Sequence, residues 1–382
     1  IYYNSIITSL TNSIYISTNT DIFEEFFKEF NLKDQDMYSL IKLEPGFKMI
    51  FESEEVEINA DFKEICKTFE THEKGASKKL KEFINEAEIK YNIGIKFLNN
   101  SPGVSILEFF NKDILFNLSH LDLLKSYKQC VRNYFSNPYL INILEFPVLF
   151  LGASASNMPA LYSLMAYSAL KQGTFYPKKG FNQVINSMHK ICTNLDVNFI
   201  TNDAVDKINI TNKRVDSVLT NKKRKIDADI LVASADYAHV EEKLINKEYR
   251  NYSKKYWRKK KFSPSSLIFY LGINKKIKKL IHHNLFFDED VDQHMDETYK
   301  KEIWPKNPLF YVCCPSKTDD TVAPKGKENV FILIPIAAGV EDSEEVRERY
   351  FNLIIKRIEN YCKQSIKDSI EYKKSYCIKD FK

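Results

Sequence analysis

Glycine is scarce in this chain, and its spacing excludes one common way of binding a nucleotide. The sequence has 10 glycines in 382 residues, and the two that lie nearest each other are Gly173 and Gly180. A Gly-x-Gly-x-x-Gly turn, which brings a helix N-terminus close to a pyrophosphate, needs glycines two and three positions apart. The sequence therefore does not by itself build the usual phosphate site for a dinucleotide.

Cysteine is present, but its pattern excludes two structural uses. There are 7 cysteines, an odd number, and no two of them form a Cys-x-x-Cys pair. Neither a disulfide framework nor a Cys-rich zinc site is expected from such a pattern. We therefore expect a reducing compartment, in which Cys313 and Cys314 act as small apolar residues of a strand.

Long apolar runs are also missing. The chain is 44% hydrophobic and 13% aromatic, which is enough to form a large core. No uninterrupted apolar stretch is long enough to cross a bilayer, and the start of the chain does not resemble a signal peptide. The nearest candidate for a span, residues 141–170, contains Glu145, Pro147, Asn157 and Pro159. Since the first methionine is Met37, we expect the chain to be a fragment or a trimmed product.

Positive charge is concentrated in short lysine clusters, although the net charge is only +5. The segment from Lys254 to Lys261 combines lysines with Tyr256 and Trp257. Such a cluster is usually a solvated surface, but it also suits an anionic membrane surface or a nucleic-acid backbone. No nucleic-acid motif accompanies the charge, so a nucleic-acid partner is not expected.

No metal site is expected. Asp288, Asp290 and Asp292 have the spacing of a calcium loop, but Gln293 and Tyr299 stand where that loop requires glycine and glutamate. His282 and His283 are adjacent, and on a strand such neighbours point to opposite faces. Sequence alone therefore predicts that these two histidines do not share a metal ion and that they are structural.

Apolar spacing predicts helices in the first half of the chain and mostly strands after residue 197. Two helices are predicted between Asp61 and Leu98, with a break at Gly75, and a basic helical stretch is predicted from Tyr237 to Lys260. Further helices are predicted over residues 121–135, 160–169, 182–193 and 344–367. Strands are predicted over residues 197–200, 205–210, 215–219, 229–233, 266–271 and 372–378.

One further pair of strands encloses the polar loop in "FYVCCPSKTDDTVAPKGKENVFILIPIA", residues 310–337. Neither strand alternates between apolar and polar residues, so both faces of each strand must be buried. A core packed on both faces explains this pattern, and so does a core on one face with an apolar cavity on the other. The sequence alone does not choose between them.

Several motifs together resemble the bacterial phytoene desaturases, flavoproteins of carotenoid synthesis in the amine-oxidase-like superfamily. The motifs are "LEFPVLFLGASASNMPALYSLM" (144–165), "GTFYPKKGFNQVINSM" (173–188), "VNFITNDAVDKI" (197–208), "DADILVASADY" (227–237) and "IHHNLFF" (281–287), together with the opening loop. They occur in one order from about Asp21 onward. The chain resembles the middle portion of the family, without its N-terminal Gly-rich segment and its C-terminal flavin segment.

This resemblance implies a fold and a division of the chain. The implied class is α/β (α+β mixed), a partial amine-oxidase-like flavoprotein fold with an incomplete flavin domain, a mixed-sheet substrate domain and a helical subdomain. Residues 1–60 would hold a degenerate N-terminal segment and strands of the substrate sheet. Residues 61–196 would form the helical substrate-binding part, 197–236 the returning strands of the flavin domain, and 237–382 the substrate domain.

The resemblance also implies an activity, namely removal of hydrogen from a long polyene with FAD as the acceptor. It points to Val205, Tyr176, Gly180 and Asp236 as the residues that touch FAD, although the missing glycines put FAD binding by this chain in question. Lys179 stands where the family has glycine, which costs on the order of 1–2 kcal/mol if its φ is positive.

Catalytic and substrate residues are less defined. No catalytic base is identified, and Arg132 and His283 are the candidates. Four apolar residues are expected to line the substrate: Phe146, Phe150, Leu151 and Met165. The alternative is that this stretch is a buried helix pair.

The resemblance implies a lipophilic carotenoid substrate. We expect a cytoplasmic protein bound peripherally at the inner membrane surface, and the sequence does not indicate its oligomeric state. The alternatives are a sibling carotenoid desaturase or isomerase, and a remnant without activity.

Overall fold

The computed structural model describes residues 20–100, 122, 125–149, 154–260 and 263–381. These residues form two compact units. The larger unit contains residues 20–187 and 263–381 of the described chain, and the smaller contains residues 188–260.

Most helices of the larger unit lie in its first half. They are α1 (Thr20–Lys28), α2 (Phe62–His72), α3 (Ala76–Asn100), α4 (Tyr127–Tyr134), α5 (Pro138–Leu149) and α6 (Leu164–Tyr167). Helix α7 (Asn182–Asn194) begins in the larger unit, and its residues from 188 onward belong to the smaller one. Short helical turns flank α6 at Ala160–Ser163 and Ser168–Gln172. The predicted pair between Asp61 and Leu98 is confirmed as α2 and α3, and Gly75 between them has φ 83°.

A seven-stranded mixed sheet forms the centre of the larger unit. Its strands are β2 (Phe47–Ile50), β3 (Glu55–Ile58), β8 (Ser265–Ile273), β9 (His283–Phe286), β10 (Phe310–Cys313), β11 (Glu328–Ile336) and β12 (Ile370–Tyr376). They lie in the order β12-β8-β11-β10-β9-β2-β3, and only the β2–β9 pair is parallel. A separate pair joins β1 (Leu40–Lys42) to β4 (Phe175–Pro177). The mixed sheet and the flanking helices confirm the predicted α/β (α+β mixed) class.

The central strands are apolar on both faces because both faces are covered. Val312 and Ile332 belong to one core cluster with residues of helix α11 (Glu344–Cys362), whereas Tyr311 and Leu333 belong to another cluster with residues of α2 to α6. Successive side chains of a strand point to opposite sides, so each strand contributes to both layers.

Two further helices belong to the larger unit. Helix α10 (Val291–Tyr299) follows β9, and α12 (Ile378–Phe381) follows β12. The Asp290 side chain caps α10 by accepting a hydrogen bond from the Gln293 backbone at 2.9 Å. Asp288 pairs instead with Arg357, and Asp292 with Lys128, so the three aspartates bind three different partners.

The smaller unit contains an antiparallel sheet of three strands, β5 (Val205–Thr211), β6 (Arg214–Thr220) and β7 (Lys225–Asp227). The strands predicted at residues 197–200 and 229–233 are wrong: both segments are irregular in the structure. A strand needs a hydrogen-bonding neighbour, and none of the described strands pairs with either segment. Most of their apolar side chains are exposed, including Ile230 and Val232.

The basic helical stretch predicted from Tyr237 to Lys260 consists of several short helical turns rather than one helix. The segment contains α8 (Tyr237–His239), a π-helical turn at Val240–Leu244, a short 3-10 turn at Lys247–Tyr249 and α9 (Lys254–Arg258). The Asn246 and Ser253 caps start new turns, which interrupts the helical repeat.

Two features concern cysteines and membrane spans. All 7 cysteines lie in the described part of the chain, and none is joined to another. Within the described residues, no helix combines the length and apolar character required to cross a bilayer.

Candidate functional site

An apolar cavity lies between helix α10 and the face of the mixed sheet that carries Tyr311 and Leu333. The cavity is partly open, and the space between its walls, together with adjoining solvent, amounts to about 450 Å³. Its walls are mainly aliphatic and aromatic, and they include Leu149, Leu285, Phe287, Leu333 and Pro335. Such a site suits an apolar ligand, since apolar lining with few polar groups is typical of small-molecule pockets.

Tyr311 connects the cavity to a buried polar group. It lines the cavity, and its hydroxyl lies 2.6 Å from Nδ1 of His283, a side chain that is only 2% exposed. The pairing register places His283 of β9 directly opposite Cys313 of β10 on the same face. Burial lowers the pKa of His283 well below its usual value, with a further lowering from His282, so the ring is neutral at physiological pH.

His282 continues this polar group. Its Nδ1 lies 2.8 Å from the Thr318 hydroxyl, and its ring centroid is 4.4 Å from that of His283 and 4.7 Å from that of Tyr176. Burial lowers the pKa of His282 to about 3, although the nearby Asp319 carboxylate opposes this change. Burial likewise raises the pKa of the Cys313 thiol to about 12.

The prediction that His282 and His283 point apart is wrong. One ligand atom from each histidine and from Cys313 lie within 4.8 Å of one another. Strand β9 begins at His283, so His282 precedes the regular strand and the alternation of faces does not apply to it. The three groups are close enough to share a cation, and the expectation of no metal remains a prediction.

The loop after β10 is hydrogen-bonded both to this polar group and to the turn between β4 and α7. Asp319 accepts hydrogen bonds from the Lys179 backbone at 2.6 Å, the Thr321 backbone at 2.9 Å and the Thr321 hydroxyl at 2.6 Å. Burial opposes its charge, but these hydrogen bonds outweigh that effect and lower the pKa of Asp319. Thr318 and Asp319 therefore position the histidines and the turn.

The four residues expected to touch FAD are divided between the two units. Tyr176 lies in β4 and packs on His282, and Gly180 ends the adjacent turn with φ 91°. Val205 begins β5 and is 38% exposed, while the exposed Asp236 caps α8 by accepting from the His239 backbone at 2.8 Å. Their contact with FAD remains a prediction.

Arg132, Phe146 and Met165 lie elsewhere in the larger unit. Arg132, in the last turn of α4, pairs with Glu145, and it is absent from the described cavity lining. Phe146 and Met165 are buried in the core, where the Phe146 ring lies 5.0 Å from that of Phe47. Phe150 and Leu151 lie outside the described residues. The catalytic and substrate roles of all five remain predictions.

Two residues of the site were not identified from the sequence. Tyr311 is one of two aromatic residues in the apolar strand β10, and nothing local distinguishes it. His294 lies in the acidic segment "VDQHMDETY", three positions after Val291 and therefore at helical spacing from it, and a single histidine on the apolar side of such a helix was the available signal.

Comparison with known proteins assigns this fold to a family. The model of the flavin-containing amine oxidoreductases matches residues 14–381. The chain therefore belongs to that family of flavin oxidoreductases. Within the family it is a carotenoid desaturase-like oxidoreductase, because its curated relatives are carotenoid and phytoene desaturases.

Three relatives show the extent of this similarity. The chain is 31% identical to the carotenoid 3,4-desaturase of Haloarcula japonica over 94% of its own length and 73% of that protein. It is 26% identical to the phytoene desaturase of Fusarium fujikuroi over 80% of its own length, and 23% identical to the zeta-carotene-forming phytoene desaturase of Myxococcus xanthus over 83%. It spans 54% of the Fusarium protein and 61% of the Myxococcus protein.

Solved structures confirm the fold alone. A protein of Pyrococcus furiosus matches 92% of this chain with a TM-score of 0.55 and 16% identity, over 71% of its own length. An oxidoreductase of Methanosarcina mazei matches 92% of this chain with a TM-score of 0.55 and 14% identity, over 72% of its own length.

Proposed function

We propose that the protein to which this chain belongs introduces carbon–carbon double bonds into a long polyene, as a phytoene desaturase does. The observation that carries the proposal is the apolar cavity beneath α10 in a chain of the carotenoid desaturase type. Burying a hydrocarbon contributes about 25 cal/mol for each Å² of apolar surface removed from water. The cavity would bind and orient one part of the substrate and exclude water from it.

The described residues do not fit the pyrophosphate of FAD, the acceptor that the family implies. The glycines nearest each other in the whole sequence are Gly173 and Gly180, so the sequence contains no Gly-rich cradle for that group. Contact of Tyr176, Gly180, Val205 and Asp236 with FAD, and assignment of residues 197–236 to a flavin domain, are part of the proposal.

The activity is tested in cells that supply phytoene. Expression of the protein should convert phytoene into products with longer conjugated systems, identified by chromatography and their absorption spectra. If phytoene remains unchanged while a more desaturated carotenoid is converted, a sibling desaturase or isomerase is the correct assignment. If no carotenoid is converted, the activity proposal fails.

The second candidate, a remnant without activity, is favoured by the scarcity of glycine and by Lys179 at a position with φ 71°. It predicts that the purified chain shows no flavin absorbance after incubation with FAD and gel filtration. Stoichiometric bound FAD would contradict this candidate and support the desaturase.

We also propose that the protein acts in the cytoplasm as a peripheral protein at the inner membrane surface, because a carotenoid substrate is dissolved in the bilayer. The basic segment that begins at Lys254 supplies the contact. Lys254, Lys255, Arg258, Lys259 and Lys260 are all exposed, and no acidic side chain of the described residues lies within 4 Å of their charged groups.

A further inference from the structure

His294 is the polar residue of the cavity whose hydrogen-bonding capacity is incompletely used. The hydroxyls of Tyr299 and Tyr311 also line the cavity, but both have partners: the Leu149 carbonyl accepts from Tyr299 at 3.4 Å, and Tyr311 is bonded to His283. His294 is only 2% exposed.

The hydrogen bonds of His294 determine which of its ring nitrogens carries the proton. The backbone N–H of Leu309 donates to Nδ1 at 3.2 Å, so Nδ1 is an acceptor and carries no proton. Burial lowers the pKa of His294 to about 4, with Glu297 opposing and Arg357 adding to that effect, and the ring is neutral at physiological pH. The proton is therefore on Nε2, which is a hydrogen-bond donor.

Nε2 is buried, and none of the described residues accepts a hydrogen bond from it. A buried donor without a partner is unfavourable, and native proteins retain such groups rarely. A water inside the cavity is a poor substitute, because a bound water needs two to four polar partners and the other polar lining groups, the hydroxyls of Tyr299 and Tyr311, already have partners. Thr298 Oγ1, one turn further along α10, is also buried without a partner among the described residues, but Thr298 does not line the cavity. The donor thus has the properties of a group that completes its hydrogen bonding only when a ligand is present.

We propose that Nε2–H of His294 donates a hydrogen bond to an oxygen atom of the substrate. The preferred ligand is then a long apolar chain that carries a neutral oxygen, as hydroxyl, ether or carbonyl, at the end that enters the cavity. A carboxylate does not fit, since one neutral N–H donor does not compensate a buried negative charge. This inference rests on the proposed function, because it assumes that the cavity beneath α10 receives the substrate. Phytoene is a hydrocarbon and leaves Nε2–H unpaired, so the inference implies that an oxygen-bearing polyene binds more tightly than phytoene.

The site should distinguish an oxygenated chain from the corresponding hydrocarbon. A hydrocarbon buries the same apolar surface but leaves Nε2–H unpaired in the complex, whereas an oxygen atom pairs it. The difference between pairing and not pairing a buried donor corresponds to roughly tenfold in affinity.

The test measures the affinity of the purified full chain for two soluble probes of equal length, farnesol and the hydrocarbon farnesene, by titration of the intrinsic fluorescence. The native protein should prefer farnesol by roughly tenfold. His294→Leu should reduce that preference to below about twofold, mostly through weaker binding of farnesol. The matched control Met295→Leu changes a neighbouring lining residue without removing a donor, so the preference should persist. Equal binding of the two probes by the native protein, or a preference that survives His294→Leu, overturns the proposal.

Farnesyl methyl ether provides a second test, which uses only the native protein and therefore does not depend on whether a variant folds. Its oxygen accepts a hydrogen bond but donates none, so the native protein should bind it with the same preference over farnesene as farnesol. Loss of the preference for the ether overturns the assignment of His294 as the donor. Conversion of phytoene is assayed separately: a protein that shows the probe preference but converts no carotenoid contradicts the proposed function and leaves the His294 contact standing.

Discussion

Lys179 occupies a backbone conformation that favours glycine. Its φ is 71°, and its backbone N–H donates to the buried Asp319 at 2.6 Å, so the surrounding structure holds the residue in this region. The family resemblance of the turn "YPKKG" singled out this position as one where glycine is expected, and the structure shows why a lysine there is strained. The Cβ of an L residue in this conformation approaches the following carbonyl oxygen.

Lys179→Gly should therefore stabilise the protein by about 1 kcal/mol, because relief of strain exceeds the added entropy of the unfolded chain. Lys178→Gly is the matched control, and it should destabilise by roughly 0.5–1 kcal/mol, since Lys178 is not among the residues with positive φ. Urea unfolding of both variants measures the difference. If the urea midpoint of Lys179→Gly is equal to or lower than that of the native protein, Lys179 is not strained.

Asp319 should be the more sensitive of two adjacent aspartates. Asp319→Asn places an amide where the Lys179 backbone N–H now meets a carboxylate oxygen, and we expect a loss of about 2 kcal/mol. Asp320 is exposed, so Asp320→Asn should change the free energy of unfolding by less than about 0.5 kcal/mol. Equal effects of the two changes in urea unfolding would show that the loop does not depend on the carboxylate.

At the scale of elements, Glu73 links two pairs of helices. It lies between α2 and α3, and it accepts from Lys79 at 2.6 Å and from the Ser136 and Asn137 backbones before α5 at 2.8 and 2.9 Å. Burial opposes its charge, but these partners outweigh that effect and lower the pKa of Glu73 to about 2. Because the folded pKa is below the unfolded value, the unfolded chain takes up the proton first as pH falls.

The stability that Glu73 contributes is thus complete above about pH 4.5 and disappears as pH falls toward about 2. Glu73→Gln should lose on the order of 2 kcal/mol at pH 7, and its difference from the native protein should shrink steadily below pH 4.5. Glu82→Gln on α3 is the control, because Glu82 is exposed. Urea unfolding at a series of pH values measures the free energies of both proteins. If the difference between Glu73→Gln and the native protein does not change with pH, the Glu73 carboxylate is not the cause.

At the scale of the whole molecule, the basic segment from Lys254 predicts salt-sensitive attachment to anionic membranes. Lys260 lies over the Tyr256 ring at 4.3 Å, and Tyr256 stacks on Tyr252 at 4.1 Å, so aromatic rings accompany the charges. Each basic residue near an anionic surface contributes roughly 1 kcal/mol. Lys261, which the sequence prediction included, lies outside the described residues.

Lys259→Glu combined with Lys260→Glu should therefore weaken binding to phosphatidylserine-containing vesicles by at least roughly tenfold at low salt. The control reverses the charge of two exposed lysines between β6 and β7, by Lys222→Glu with Lys223→Glu. It changes the net charge by the same amount as the first double variant. Sedimentation with vesicles measures both variants. Failure of the native protein to sediment, or equal losses in the two double variants, would show that the basic segment is only a solvated surface.

The sequence by itself determined the class of this protein and most of its elements. The spacing of Phe62, Ile65 and Phe69 predicted a helix because an amphipathic repeat reports local geometry. The apolar runs around residues 310–337 predicted central strands, since side chains on both faces must be buried wherever such a strand lies. The same local logic misassigned residues 197–200 and 229–233, because a strand also requires a neighbour that no local pattern supplies.

Only the tertiary structure decided what the two faces of those strands meet and which polar groups converge beside the cavity. His282, His283 and Cys313 come together through the β9–β10 register and through the irregular backbone before β9, neither of which is encoded in the spacing of the histidines. His294 is separated from Leu309 by 15 positions, and its proton position follows from that long-range hydrogen bond. Hydrogen-bond partners that are distant in sequence depend on the packing of the whole unit. For that reason, only the fold identifies Nε2–H of His294 as the candidate donor of the site.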